Sequence, residues 1–530
     1  MEAFLASFGS LVRFALHGFD RLVFRGHLRQ LSYPHGMDCY LSANQVLLKD
    51  FKDHAIERTA CLTEASLAEA ERLQRPVIFL RSAATSKEEE ARRILQRDRL
   101  TEGLICVFKS VEPCQTFEVH RNRERKLLEL QSKWGKCTHL YQYRLHPIFG
   151  LMYARLQTWF PYAVQIGING REWLARQLDQ EGLGYERQGN KFSDLQDPAR
   201  AQALLDEQVR TPWPVRLEQI LGQLHPTHPQ LLGRLPVAYY WSVFQSEWAS
   251  DVVLKGHAEL ERRIEPWLRH ALLTYRSADV MRFLGQAVTL SGQVRQDFQG
   301  EVRSTGSRRE DGLRIKHWVL GNSVKLYTYL LGLMLAGVRI ETTINQSDAF
   351  REFRVPEGKP EQPAAWLPLR RGVASLERRT QISQAINDRY AAATAAVHVK
   401  TPLKELAGPL CSRAPAPGKV RGRKVRALNP LAKEDAALLR AVNDPVHAVQ
   451  GLRNRDLVRL LYAKPARTRC EQQRRSARVT RWIRLLRAHG ILHKIPKTHR
   501  YQVSSRGRDA MTVLLAARNA STEMLAGNAA

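Results

Sequence analysis

The sequence predicts a multidomain α/β (α+β) protein, with a mixed N-terminal and central region, a largely helical insert, and a separate C-terminal domain of three helices and a hairpin. Three observations lead there. At 530 residues the chain exceeds what one core normally spans, and about two to four domains fit its length. Over the first 195 residues, short apolar runs alternate with segments of helical period. The charge then gathers at one end: residues 401–530 hold 27 Lys plus Arg against 8 Asp plus Glu, which is +19 of the total +30.

A hydrophobic content of 44% and a charged content of 25% are those of an ordinary globular chain, which excludes wholesale disorder. A net charge of +30 favours polyanionic partners, because every phosphate neutralised releases counterions. The alternative is an Arg-rich composition inherited from a GC-rich genome, but drift of that kind does not concentrate charge in one segment. The seven Cys are odd in number and form no Cys-x-x-Cys pair, which points to a reducing compartment and away from a disulfide frame or a Cys-rich zinc site. The start of the chain lacks the basic residues and cleavage site of a secretory signal. The longest apolar stretch, Leu326–Val338, is too short for the ~20 residues of a membrane helix. A cytoplasmic protein without membrane partners is expected.

The first domain, residues 1–195, opens with the apolar run Arg21–Phe24. Helices are expected at Leu41–Asp53 and Thr63–Gln74, then a buried strand at Pro76–Leu80. Ser86–Gln96 carries Glu88, Glu89 and Glu90 early and Arg92 and Arg93 late, the order that suits a helix dipole. Gly103–Phe108 is a second apolar strand. Thr138–Leu145, Leu151–Gln157 and Ala163–Ile168 alternate between short turns, as an antiparallel meander does, and Arg171–Gln180 is a helix after Asn169-Gly170. Residues 196–300 read as mainly helical, with long periodicity over Tyr239–Leu273, and residues 301–400 as a mixed region completing the core. Residues 352–368, with four Pro, suggest a loop. Residues 401–432 form a basic linker in which Arg421, Arg423 and Lys424 could track phosphates.

In residues 433–520 three helices are expected at Glu434–Val442, Asn454–Tyr462 and Glu471–His489. Val479, Trp482, Ile483 and Leu486 give the last of them an apolar stripe. Its other surface is cationic: Arg474, Arg478 and Arg481 share a face, widened by Arg475, Arg484 and Arg487. Gly490 stands at the C-cap position. Ile491–Ile495 and Arg500–Val503 are strands around a basic tip with Lys497 and His499, and Arg508–Arg518 is a closing helix before a short tail, residues 521–530. Helix, helix, cationic helix and basic hairpin is the order of a winged helix, whose third helix enters a major groove while the wing meets phosphates. Ile483–Ile495 (IRLLRAHGILHKI) resembles the helix–Gly–strand junction of MarR-like winged-helix domains.

A wider resemblance runs along most of the chain. Phe19–Gly26 (FDRLVFRG), Gln157–Pro161 (QTWFP), Asn169–Arg176 (NGREWLAR), Arg314–His317 (RIKH), Val338–Asn345 (VRIETTIN) and Gly451–Leu457 (GLRNRDL) resemble a widespread bacterial family known by its C-terminal MarR-like domain. Within it, Arg314–Leu326, then Tyr327, then Arg339-Ile340-Glu341, is similar to plasmid rolling-circle replication initiators. In that class a Tyr attacks a DNA phosphate and carboxylates hold a divalent metal. The resemblance implies Tyr327 and Glu341 as catalytic, with Mg²⁺ or Mn²⁺ as cofactor. The chain departs from the pattern after Tyr327, where Thr328-Tyr329 stands in place of Asp/Asn-Lys, and it has no His–apolar–His pair.

Asp20, Glu112 and Glu341, each beside an apolar run, are the candidate metal ligands. His139, Tyr141 and Tyr143 on the meander are a candidate base-stacking cluster. The leading expectation is a nucleic-acid-binding protein, of DNA or RNA, belonging to a mobile element or regulatory system and needing no cofactor. The alternatives are a metal-dependent nickase or strand-transfer enzyme, and a protein-interaction scaffold.

Overall fold

The computed structural model describes residues 1–81, 85–224, 234, 238–269, 271–272, 275–289, 293–309, 312–331, 335–395, 405, 407–415, 424–444, 447, 451–496 and 498–519. The chain forms two compact units interleaved in sequence. The first holds Met1–Arg13, Leu254–Ile340 and Ala385–Ala530, and the second holds Phe14–Val253 and Glu341–Gln384. The expected linker residues Arg421 and Arg423, the hairpin-tip residue Lys497 and the tail 521–530 lie outside the described residues.

The second unit is built on a mixed sheet. Its strands run in the order Tyr240–Leu254, Val12–His27, Val164–Asn169, Gly150–Gln157, Leu127–His146, Gly103–Asn122 and Val77–Phe79. Val77–Phe79 is parallel to Gly103–Asn122, whereas Val164–Asn169 pairs antiparallel with Val12–His27 and Gly150–Gln157. Alternation along Val12–His27 divides the sheet into two chemistries. Phe14, Leu16, Leu22 and Phe24 are buried, with Phe24 against Trp213 at 4.9 Å and Gly18 against Leu205. The helices Pro198–Val209 and Trp213–Leu224 therefore cover this face. On the other face Arg21, Arg25 and His27 are half-buried beside the buried Phe19 and Val23.

Most expected elements are present, with three corrections. Leu41–Asp53 is not one helix: Pro34–Ala43 ends there, and a 22-residue helix, Phe51–Arg72, begins after a short break and absorbs most of Thr63–Gln74. Tyr240–Leu254, expected within the helical region, is a strand beside Val12–His27. Its last seven residues are all buried, and a strand buried on both faces loses the alternation that distinguishes it from a helix. Residues 352–368 are not a plain loop but include the paired strands Arg351–Arg354 and Ala365–Pro368.

Helix ends follow their local chemistry. Ser86 accepts from the Glu89 amide at the start of Lys87–Asp98, and Asn169 accepts from the amides of Arg171 and Glu172 at the start of Gly170–Gln180. Gly170 is required because a Cβ there would lie 2.1 Å from the Phe19 carbonyl oxygen. The next residue, Arg171, is fully buried and pairs with Asp251 at 2.7 Å while donating to the Ala249 carbonyl at 3.1 Å. This pins the helix to the Tyr240–Leu254 strand.

The first unit contains the strands Val302–Arg309, Gly312–Val319 and Asn322–Leu331 as an antiparallel run, followed by Leu335–Ile344 up to Ile340. His317 is fully buried, its ring nitrogens 2.7 Å from Ser304 Oγ and 2.9 Å from the Tyr390 hydroxyl. The C-terminal segment has helices Lys433–Val442, Asn454–Leu461 and Arg469–Ala488, the two-stranded Leu492–Lys494 and Tyr501–Val503, and the helix Ser505–Asn519. Leu438, Leu439, Leu457, Val479, Ile483, Leu486, Val503 and Met511 share its core. Leu452 exchanges backbone hydrogen bonds with Tyr501 at 2.7 and 2.8 Å, an isolated bridge that fastens the start of Asn454–Leu461 to the hairpin. Among the described residues no helix is long and apolar enough to cross a membrane.

Removing Asp251 leaves the Arg171 guanidinium buried without its carboxylate. Asp251→Ala should therefore lower unfolding stability by about 3–5 kcal/mol in denaturant titrations, far more than a surface substitution. A loss under about 1 kcal/mol would contradict the anchoring role assigned to this pair.

Candidate functional site

Beyond Arg469, the six arginines of the helix Arg469–Ala488 separate into two groups. Three are tied to the protein itself. Arg475 pairs with Glu471, donates to the Lys464 carbonyl at 2.6 Å and lies 4.6 Å over the Tyr462 ring. Arg478 pairs with Glu434 and sits 4.9 Å over Trp482, and Arg487 is 5.9 Å from the Tyr501 ring centre. Arg474, Arg481 and Arg484 are exposed and, among the described residues, make no ion pair. On a 100° wheel these three lie on the side opposite Val479, Ile483 and Leu486. Arg478 stays exposed on the face it was expected to share with Arg474 and Arg481, but it is paired with Glu434.

Val425, Arg426, Glu434, Arg478, Arg481, Trp482, Arg484 and Leu485 line an open groove of ≈ 520 Å³ beside this helix. Arg426 is held by Asp435 at 2.6 and 2.7 Å, and the ring nitrogens of His489 lie 3.0 Å from the carbonyl oxygens of Pro409 and Arg426. These contacts fasten the preceding basic segment to the helix. Lys424 is exposed on a short strand paired with Ala414–Pro415. On the hairpin His499 is exposed and Arg500 half-buried.

A second cluster lies in the other unit. One carboxylate oxygen from each of Asp20, Glu247 and Glu341 falls within 4.8 Å of the others, and Asp20 and Glu341 are buried. Two of the three expected ligands, far apart in sequence, thus meet. Asn190 Nδ2 donates to Asp20 at 3.0 Å, and Asn169 Nδ2 donates to Asn190 at 2.8 Å, so the Asn169-Gly170 turn is coupled to Asp20. Arg21 lies alongside, held above its ordinary value: burial opposes this, but Glu88, Glu247 and Asp20 outweigh it. An ionic chain runs away from it, Arg21 to Glu88 at 3.0 Å, Glu88 to Arg92 at 3.1 Å, Arg92 to Glu172 at 3.6 Å and Glu172 to Arg187 at 2.9 Å. Glu247 was not singled out in the sequence because Tyr239–Leu273 read with a helical period, which hides which residues of a strand share a face.

The carboxylate cluster has the hard oxygen donors that suit Mg²⁺ or Mn²⁺. An octahedral Mg²⁺ with bonds of ~2.1 Å keeps its oxygens at most ~4.2 Å apart, so side-chain movements of under ~1 Å would close the cluster. Glu112 does not join it. It accepts from the Tyr141 hydroxyl at 2.8 and 2.9 Å and pairs with Arg155 at 3.0 Å and Lys87 at 3.4 Å. Burial raises its pKa, but Tyr141, Arg155 and Lys87 together bring it below the usual carboxylate value. Those contacts, not a cation, account for Glu112, and its assignment as a metal ligand is withdrawn.

The meander aromatics are packed rather than displayed. Tyr143 stacks on Tyr153 at 5.5 Å, Tyr141 is buried, and His139 is fully buried. Tyr327 lies on Asn322–Leu331 opposite Arg314, half-buried, in the first unit, whereas Glu341 is where the chain re-enters the second. All seven cysteines are free thiols, with Cys114 and Cys137 Sγ 3.2 Å apart on neighbouring strands.

No family model and no curated protein matches the chain. Among solved structures, it is similar to the di-domain ARO/CYC BexL from the BE-7585A biosynthetic pathway, over 51% of this chain and 81% of that one, at 11% identity. The TM-score of 0.14 is too low to indicate a shared fold.

Burial holds His27, His139 and His317 at about 4, with neighbouring arginines adding to the effect for the first two. An unfolded histidine takes up its proton near 6.5, so the unfolded state binds more protons between the two values. Stability is full above pH ~6.5 and is lost as pH falls toward ~4. Denaturant midpoints should drop between about pH 7.5 and about pH 5, by less in His139→Gln than in the parent. Equal or greater stability at the lower pH would contradict this.

Proposed function

We propose that residues 433–519 form a winged helix and that the protein binds nucleic acid through its Arg469–Ala488 helix. The observation that carries this reading is the outward row of Arg474, Arg481 and Arg484, exposed and without carboxylate partners, on a helix whose opposite side is fixed in a core. An unpaired row of guanidiniums facing away from the body is the surface that phosphates and guanine edges recognise. His499 and Arg500 on the hairpin supply the neighbouring contacts of a wing, and Lys424 extends the positive surface. Arg475 and Arg478 belong to the same surface but act from fixed positions, braced by Glu471 and Glu434.

The triple variant Arg474→Gln, Arg481→Gln, Arg484→Gln should keep the parent's thermal stability and weaken binding to duplex or single-stranded oligonucleotides at least tenfold. Three lost phosphate contacts should flatten the slope of log affinity against log salt by about 2–3. Parent-like affinity and slope in the folded triple variant would overturn the reading.

One observation favours a second activity in the same protein, metal-dependent cleavage or strand transfer on the bound nucleic acid. Asp20, Glu247 and Glu341 bring one carboxylate oxygen each within 4.8 Å of the others, a set of hard oxygen donors. A divalent cation held there would activate a phosphodiester. Tyr327, the nucleophile implied by the resemblance to replication initiators, belongs to the other unit and is tested by itself. Incubation of labelled single-stranded DNA with the protein should give cleavage in Mg²⁺ or Mn²⁺ and none in chelator. Asp20→Asn, Glu341→Gln and Tyr327→Phe should each abolish it. Cleavage undiminished in the carboxylate variants would remove the metal assignment, and cleavage undiminished in Tyr327→Phe would remove that nucleophile.

A further inference from the structure

Strand register places Arg25 and Arg155 on either side of Gln165, on the polar face of the second unit's sheet. Ser242 Oγ donates to the Arg25 carbonyl at 3.1 Å, and the next residue, Val243, donates its amide to the Arg371 carbonyl at 2.7 Å. Arg371 is thereby fixed beside the same strand. The side chains nearby are already committed. Arg155 is held by Glu112, Gln165 Nε2 donates to the Tyr153 hydroxyl at 2.8 Å, and Arg354 and Arg370 share Glu352 at 3.4 and 3.5 Å. Arg25 is half-buried and Arg371 exposed, and among the described residues neither is paired with a carboxylate.

Burial, then the positive charges of Arg155 and Arg371, hold the Arg25 guanidinium below its ordinary value. A partly desolvated cation facing two like charges is unfavourable unless an anion completes the site. We propose that Arg25, flanked by Arg155 and Arg371, binds a phosphate group. The two guanidiniums of Arg25 and Arg371 offer planar, multidentate donors that suit a phosphate, with the Glu112-held Arg155 adding positive charge beside them. The site lies about 13 Å along the strand from Arg21, which adjoins the carboxylate cluster, so one extended strand of nucleic acid could span both. The choice of a nucleic-acid phosphate over a free one rests on the nucleic-acid reading above; the phosphate site itself does not.

The test is thermal unfolding of the full chain with either inorganic phosphate or a single-stranded oligonucleotide lacking terminal phosphates, for the parent, Arg25→Gln and Arg371→Gln. Arg371 is exposed, so its variant serves if Arg25→Gln does not fold. The parent should be stabilised by the oligonucleotide, with a midpoint concentration raised at least threefold in either variant, and Arg25→Gln without ligand should melt at or above the parent's temperature. Stabilisation of the parent by inorganic phosphate alone supports the site and identifies its ligand as free phosphate. Parent-like responses in both variants, or no response of the parent to either probe, overturn the proposal. So does a lowered melting temperature of ligand-free Arg25→Gln together with a parent-like response in Arg371→Gln, which marks Arg25 as structural. Weak nucleic-acid binding by the Arg474/Arg481/Arg484 variant with an intact phosphate response would separate this site from the C-terminal one.

Discussion

The constraint on which the second unit depends is that one strand, Val12–His27, must bury one face completely while lying centrally in a sheet. Phe14, Leu16, Leu22 and Phe24 fill that face. Full burial of such side chains is worth roughly 1.5–3 kcal/mol each. The strand cannot slip by one residue without exposing all of them. Its register in turn fixes Arg21, Arg25 and His27 on the opposite face. Asp20, in phase with the apolar residues, is buried on the same strand and accepts from Asn190. Apolar packing of this strand thus fixes the positions of Arg21, Arg25 and Asp20.

The same separation of roles recurs in the C-terminal segment, where it acts on a helix. Val479, Ile483 and Leu486 set the rotation of Arg469–Ala488, and that rotation decides which arginines face out. Tethering then sorts the remainder. Arg478 turns to Glu434 and covers Trp482, and Arg475 turns to Glu471 and Tyr462. Both units therefore present cations from rigid elements, which limits the entropy lost when a polyanion binds.

Much of this was legible in the sequence where the period was unambiguous. The three C-terminal helices and the hairpin were found to within about two residues because Val479, Ile483 and Leu486 repeat cleanly and Gly490 marks the end. The family-like strings at Phe19–Gly26 and Asn169–Arg176 also gained a physical account: Gly170 lies against the Phe19 carbonyl, and Asn169 reaches Asp20 through Asn190. The period failed over Tyr240–Leu254, a strand with few exposed positions, and Glu247 was lost with it. Glu112 was misjudged, and the pairing of Arg478 was missed, for another reason. Which partner satisfies a charged side chain depends on neighbours distant in sequence, here Arg155 with Tyr141, and Glu434.

The central claim is that the outward face of Arg469–Ala488 meets nucleic acid, and photo-crosslinking addresses it most directly. The full protein would be irradiated with a photoreactive oligonucleotide at physiological salt and the modified peptides sequenced. Adducts concentrated between Arg469 and Ala488 and on the adjoining hairpin are the predicted result. Adducts absent from that helix, on a protein that binds the oligonucleotide elsewhere or not at all, would contradict the account.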